Sequence, residues 1–553
     1  MTYFPELRRK YVPPSQSETV IDNSINEVFR ICPLVLIDVK SGRLCDGPKR
    51  RDIFKSEQQF KELVSSMTER LDHERIQRVV EEYFQYVTLS HVWGRKEALF
   101  QDVNLVGSVW QLGSSPGNEK LRKFCEVVRD DGYRWAWCDA SCIDKTISTV
   151  LNQSLKMMYK WYEASAATFV HLGDVASPSA LGDLTDSVWM TRAWTGQELL
   201  AATVIRFYNR DWTPYMGDTR SNHKDSPRIM QELADAMRIS RETITSFNPD
   251  DLSVREKLRV ASMRKATVEE DVAYSLIGIF KSDIRPDYGE GYAALGHLLE
   301  EIVARCGKVT VLDWIGRSSP YNSCLPASLS VYHRPPSTSP VVEEANMAAR
   351  IATLRDSLSQ TDAILVHNRI TRLPPARFAN RRLHLPCLIF PVKKLGLQDF
   401  CDHEYSYGAR VSGIGNVEFR TADKLSPREA RKLVFVHPWI RNLRDPLDGF
   451  SWEGAADEGE DEDEDEDEVD PAVETDSAPS SPLHFVPAAT MDDCTRALRL
   501  IVRLQQPFHT LLLQQQPDGE FKRVATEHEI IIPGIGHQVS FIKDIHAAVI
   551  EIL

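Results

Sequence analysis

The sequence predicts an α/β protein: a mainly parallel sheet with crossover helices, then a helical extension and a β-rich C-terminal region. Two observations carry this. Short apolar runs alternate with amphipathic helical patterns between residues 86 and 208, the signature of strands joined by crossover helices. From about Leu325 the chain changes to short apolar runs separated by Pro, Gly and charge, the pattern of a β-rich fold.

The clearest α/β unit is RWAWCDASCIDK, Arg134 to Lys145. Arg134–Cys138 is a short apolar run with two tryptophans and reads as a buried strand. It stops at Asp139, and Val150, Leu151, Leu155, Met158, Tyr159 and Tyr162 then recur at helical spacing. Asp139 therefore falls at the carboxyl end of a strand, where open α/β sheets bind ligands.

In chain order, residues 1–82 form an N-terminal segment with helices, polar and poorly ordered at least to Ser17. Within it PLVLIDVKSG reads as a strand and turn, and Ser56–Gln85 as two helices broken near Asp72. Residues 83–210 are the α/β domain. Its strands are YVTLS, the Arg134 run, ATFVHL and TVIRFY, with helices at Glu119–Asp131, after Asp144 and from about Thr195. Residues 211–320 read as helical, with segments at Pro227–Met237, Ser253–Arg264, Glu269–Phe280 and Gly291–Arg305. Residues 321–448 and 486–553 are one β-rich region with AILVH, RLHLPCLIFPV, KLVFVHPWI, ALRLIVRL, HTLLLQQQ and HEIIIPG as strands and Ala345–Leu358 as a helix. Residues 449–485 interrupt it as an acidic insertion, too polar to order itself.

Charge and composition exclude several function classes. Twelve acids and no base lie between Asp457 and Asp470, and without them the formal charge of −14 becomes −2. The remainder has no basic footprint for nucleic acid. No apolar run approaches the ~20 residues that span a bilayer. The ten cysteines are scattered and no secretory h-region opens the chain, which points to reduced thiols and a cytoplasmic location.

Nucleotide motifs are missing: GSSPGNEK lacks the spacing and Ser/Thr of a P-loop, and no GxGxxG follows a strand. There is no HExxH, and Cys138 and Cys142 have no second pair to complete a zinc site, so no metal is expected. Ser90 and His91 point to opposite faces while strand geometry holds, and Cys142 with His171 needs a spatial coincidence. The set at the strand ends is more informative: Ser90, His91 and Trp93, then Asp139 and Asp144, then Asp174, with Arg192, Gln197 and Glu198 nearby. On a parallel sheet these converge on one rim and suit a polar ligand with an aromatic ring. The structural reading of the same residues is that Asp144 caps a helix, Asp139 pairs with Arg192, and Trp93 and Trp194 are core.

YVTLSHVWG, RWAWCDASCIDK and VWMTRAWTGQELLAA, in this order, resemble the three signature blocks of the fungal heterokaryon incompatibility (HET) domain. SLKMMYKWYEASAATFVHLGDV, EDVAYSLIGIF and YGEG extend the likeness to about residues 83–300. The matching positions are Ser90, Trp93 and Gly94; Asp139, Cys142, Ile143 and Asp144; and Arg192, Trp194, Thr195, Gln197, Glu198, Leu199 and Leu200. The resemblance implies a fold similar to Toll/interleukin-1 receptor domains and a role in non-self recognition. That role is an effector that signals through protein partners and promotes programmed cell death. Some domains of the Toll kind cleave NAD, so the alternative is a nucleosidase. There NAD is substrate rather than cofactor, Asp139, Asp144 or Glu198 is the acid, and Ser90, Trp93, Arg192 and Gln197 contact the ligand. The helix after the second block carries Val150 and Gln153 where the family often has glutamates, which keeps a third alternative, a scaffold without effector activity.

Overall fold

The computed structural model describes residues 12–67, 70–306, 309–337, 342–401, 403–439, 493–535, 542 and 545–553. The acidic insertion lies outside these residues. The chain divides into two compact units, one of residues 1–249 and 256–301, the other of residues 250–255 and 302–553.

The first unit is built on a six-stranded sheet: β1 (Val35–Asp38), β2 (Arg43–Asp46), β3 (Tyr86–His91), β4 (Trp135–Trp137), β5 (Ala167–His171) and β6 (Ile205–Tyr208), in the order β2-β1-β4-β3-β5-β6. The four strands of the expected α/β domain are parallel: Tyr86 aligns with Trp135, Val87 with Ala167, and Thr168 with Ile205. The β1–β2 hairpin adds an antiparallel edge, Ile37 against Ala136. Every residue of β3, β4 and β5 is buried, as expected of strands covered on both faces. Crossover helices Pro116–Asp130 and Ser148–Glu163 supply the cover. Trp135, Trp137, Trp161 and Trp189 are fully enclosed.

Several expectations are corrected here. Helix Pro14–Ile31 begins before Ser17, because Ile21 and Ile25 are completely buried and Phe29 meets Phe84 edge-on at 5.0 Å. Tertiary contact orders a segment whose composition is polar. The break near Asp72 is real: helices Gln58–Ser65 and His73–Phe84 flank it, and the Asp72 carboxylate accepts from the Arg75 amide as an N-cap. Glu269–Phe280 is helical only at Asp271–Tyr274 and then runs through turns.

The second unit carries a nine-stranded sheet, in which β7 is Arg377–Ala379, β8 Arg382–Cys401, β9 Glu404–Val411, β10 Gly415–Thr421, β11 Leu433–Pro438, β12 Phe508–Gln515, β13 Phe521–Arg523, β14 Ile530–Ile532 and β15 His546–Ile552. The long β8 pairs antiparallel with β9, β11 and β15. Two runs expected as strands are helical. AILVH lies in helix Gln360–Thr371 and ALRLIVRL in helix Asp493–Leu504. In the latter, Ala497, Leu498, Leu500, Ile501, Val502 and Leu504 are all buried, while Arg496 and Arg503 stay at least partly open. A short apolar run reads alike as strand or buried helix until its neighbours are known. Those neighbours are helices Glu344–Ser357 and Gln360–Thr371.

Candidate functional site

The order of the first sheet reverses at β3, which has β4 on one side and β5 on the other. Carboxyl ends of strands around such a point form the crevice that open α/β sheets offer to ligands. Ser90 and His91 end β3, Asp139 follows β4 by two residues, and helix Ala193–Ala201 packs against β3.

Successive residues of a strand face opposite ways. Ser90 and His91 accordingly serve two clusters. In the first, the Ser90 hydroxyl donates to the Glu198 carboxylate and accepts from Trp189 Nε1 at 2.8 Å. Burial, reinforced by the charge of Asp139, pushes the Glu198 carboxyl up to about 8 against the opposing pull of Ser90. Tyr162 faces the same carboxyl and donates to the Leu89 carbonyl at 3.1 Å. Gly196 has a role that helix propensity hides: a Cβ there would lie 2.9 Å from Arg264 Nε. Without it, the Arg264 side chain crosses the helix to reach the Arg192 carbonyl at 3.1 Å and the Thr195 hydroxyl at 2.9 Å.

The second cluster gathers on Asp139. His91 Nε2 lies 3.3 Å from its Oδ1, Trp93 Nε1 donates to Oδ2 at 3.0 Å, and Lys145 Nζ stands 3.5 Å from Oδ2. Burial alone would raise the Asp139 carboxyl, but Lys145 and His91 outweigh it and hold it well below the usual carboxylate range. Lys145 Nζ also lies 3.7 Å from the Trp93 ring centre, a cation–π contact. Trp93 is 41% exposed, so it is not core. Behind it, Glu97 pairs with Lys120 at 2.7 Å and accepts from the Gly94 amide. An open cleft of about 620 Å³ adjoins Trp93, lined also by Arg95, Lys96, Leu99, Leu105 and Ser115.

The rim expected from the sequence thus assembles in part. Ser90 meets Glu198 in one cluster, and Trp93 meets Asp139 in the other. Asp139 does not pair with Arg192, which donates to the Thr267 hydroxyl at 2.8 Å instead. Asp144 closes a turn on the Thr146 amide at 3.0 Å and takes the Gln101 amide at 2.7 Å, so it serves the loop and not the cluster. Asp174 accepts from Ser187 and from the Val188 amide, capping the short helix Val188–Thr191. Gln197 is buried, and its amide nitrogen has no hydrogen-bond partner. Cys142 is buried, while His171 faces the Arg210 carbonyl at 3.1 Å and stacks on Trp212. Sequence reasoning missed Glu97, Lys145 and Asp271. Asp271 accepts from Tyr288 at 2.8 Å and lies in the field of Lys145 and Arg192. Its signal was present, since EDVAY and YGEG contribute Asp271 and Tyr288.

The motif residues thus lie at the carboxyl ends of β3 and β4 and on the helix packed against β3, the place where open α/β sheets bind ligands. Residues 86–182 match the family model described as "Heterokaryon incompatibility protein (HET)", so this stretch of the first unit is similar to that family. The chain is similar to the "Vegetative incompatibility protein HET-E-1" of Podospora anserina, with 33% identity over 228 residues. That match covers 39% of this chain and 16% of the relative, so the chain spans a small part of the relative's length. No solved structure matches the chain. Among the described residues no helix is long and apolar enough to cross a membrane.

Proposed function

We propose that this chain acts in heterokaryon (vegetative) incompatibility, as a non-self recognition effector that signals through protein partners and promotes cell death. The observation that carries the reading is the meeting of the three signature blocks: Ser90 of the first with Glu198 of the third, and Trp93 of the first with Asp139 of the second. The name of the Podospora relative supports the biological process. The test is inducible expression in a fungal host. Loss of viability with the wild type, retained by variants of the β-rich unit but lost with Asp139→Asn, supports the reading. Full viability at matched expression refutes it.

A second reading, an NAD nucleosidase of the Toll/interleukin-1 receptor-like kind, is favoured by one feature. The two carboxyls are driven apart, Asp139 held ionised and Glu198 raised to about 8. Such a pair divides into an electrostatic stabiliser and a proton donor at neutral pH. Here Asp139 would face the developing oxocarbenium charge and Glu198 would hold a proton beside Ser90. Incubating the purified chain with NAD and following nicotinamide release separates the readings. Release lost with Glu198→Gln supports chemistry; no release leaves the signalling reading alone.

A further inference from the structure

We propose that His91, Cys138 and Asp139 form a three-ligand site for a divalent ion of the zinc class. Three observations carry this, and none depends on the proposed function. The first is distance. His91 Nε2 lies 3.3 Å from Asp139 Oδ1 and 3.7 Å from Cys138 Sγ, and the three donor atoms all fall within 4.8 Å of one another. A tetrahedral ion bonded at about 2.0–2.1 Å to nitrogen and oxygen and about 2.3 Å to sulfur sets edges of about 3.3 Å and about 3.6 Å between those donors. The two measured edges match.

The second observation is the support around the ligands. A histidine that binds metal through one nitrogen usually aims the other at a carboxylate, and a ligating carboxylate is itself held by hydrogen bonds. His91 Nδ1 is buried without a hydrogen bond and points at Glu97 Oε2, 4.0 Å away. Lys120 and the Gly94 amide anchor Glu97. On Asp139, Lys145 and the shorter contact of Trp93 hold Oδ2, while Oδ1 faces His91 at 3.3 Å and takes a longer 3.4 Å contact from Trp93 Nε1. Both ligands are thus oriented from behind.

The third observation is the donor set. One thiol, one imidazole and one carboxylate suit zinc, whereas magnesium and calcium require oxygen ligands. Three protein ligands leave the fourth tetrahedral position to water. On binding, the Cys138 thiol releases its proton to solvent and the sulfur lone pair forms the bond to the ion, so affinity rises with pH. Cys142 takes no part; the partners of Cys138 come from β3 and from the next residue, which is why cysteine spacing does not reveal the site.

The test uses the full chain, stripped with a chelator and titrated with cobalt(II), then zinc(II). The expected result is one equivalent bound, a thiolate-to-cobalt charge-transfer band, and its loss as zinc displaces cobalt. Cys138→Ser abolishes the band and the rise in melting temperature with zinc, while Cys142→Ser keeps both. Glu97→Gln weakens binding about 10–100-fold, as loss of an outer-shell partner does. If Cys138→Ser does not fold, Asp139→Asn is read instead and must change the cobalt spectrum and weaken binding. The proposal is overturned if the wild type shows no saturable binding. It is equally overturned if the folded Cys138→Ser, or Asp139→Asn, binds cobalt with the wild-type spectrum and affinity. The cluster is then a hydrogen-bonded ion pair only.

Discussion

Replacing Glu198 with Gln isolates the cost of a buried carboxyl at the centre of the site. The Glu198 side chain is enclosed, and its carboxyl rises from an ordinary value of 4.5 to about 8, chiefly through burial. The unfolded chain gives up this proton near pH 4.5, while the folded chain keeps it until about pH 8. Between those values the folded state holds more protons, so stability falls as pH rises. At about 1.4 kcal/mol per pH unit, the rise corresponds to about 5 kcal/mol by pH 8, an order-of-magnitude figure. Gln keeps the shape and an acceptor for the Ser90 hydroxyl but cannot ionise. Denaturant unfolding of wild type and Glu198→Gln at pH 5 and pH 8, followed by circular dichroism, measures the effect. The other titrating groups are common to both proteins and cancel in the difference. The expected outcome is a variant of similar stability at pH 5 that gains about 3–5 kcal/mol on the wild type by pH 8. Parallel pH profiles for the two proteins would refute the assignment of Glu198 as a protonated buried acid.

Three further outcomes follow from packing. Gly117→Ala should destabilise the first unit by about 1–3 kcal/mol, although Ala is the better helix former by about 1 kcal/mol. The new Cβ would lie 1.9 Å from the Lys96 carbonyl oxygen and 2.8 Å from Glu97 Cα, both backbone, so the loop carrying Trp93 and Glu97 must move. A melting temperature at or above that of the wild type would contradict this close approach. Leu500→Ala, in helix Asp493–Leu504, should cost the second unit about 2–5 kcal/mol, because the side chain is completely buried; a change below 1 kcal/mol in denaturant unfolding would show that the helix does not pack there. Brief alkylation of the folded chain should label the half-buried Cys494 and spare Cys125, Cys324 and Cys387, whose thiols are enclosed and raised by burial. Peptide mass spectrometry reads this directly, and equal labelling of all four would contradict their burial.

What the sequence determined by itself was the local order of the α/β region of the first unit. Runs rich in apolar, β-branched and aromatic residues, alternating with helical periods, specify β3 to β6 because strands covered by helices bury most of their side chains. The signature blocks also marked which strand ends meet, since parallel strands carry their carboxyl ends to one rim. Only the tertiary structure decided what each side chain does there. Asp139 and Asp144 are five residues apart and chemically alike, yet one takes His91, Trp93 and Lys145 and the other closes a turn. Gly196 looks like a weak helix position until Arg264, distant in sequence, is seen to lie across it. ALRLIVRL is a strand or a helix depending on whether a sheet edge or two helices wait beside it. The physical reason is the same in all three. Periodicity is a property of neighbours along the chain, whereas pairing, burial and protonation depend on groups that only folding brings within a few ångströms.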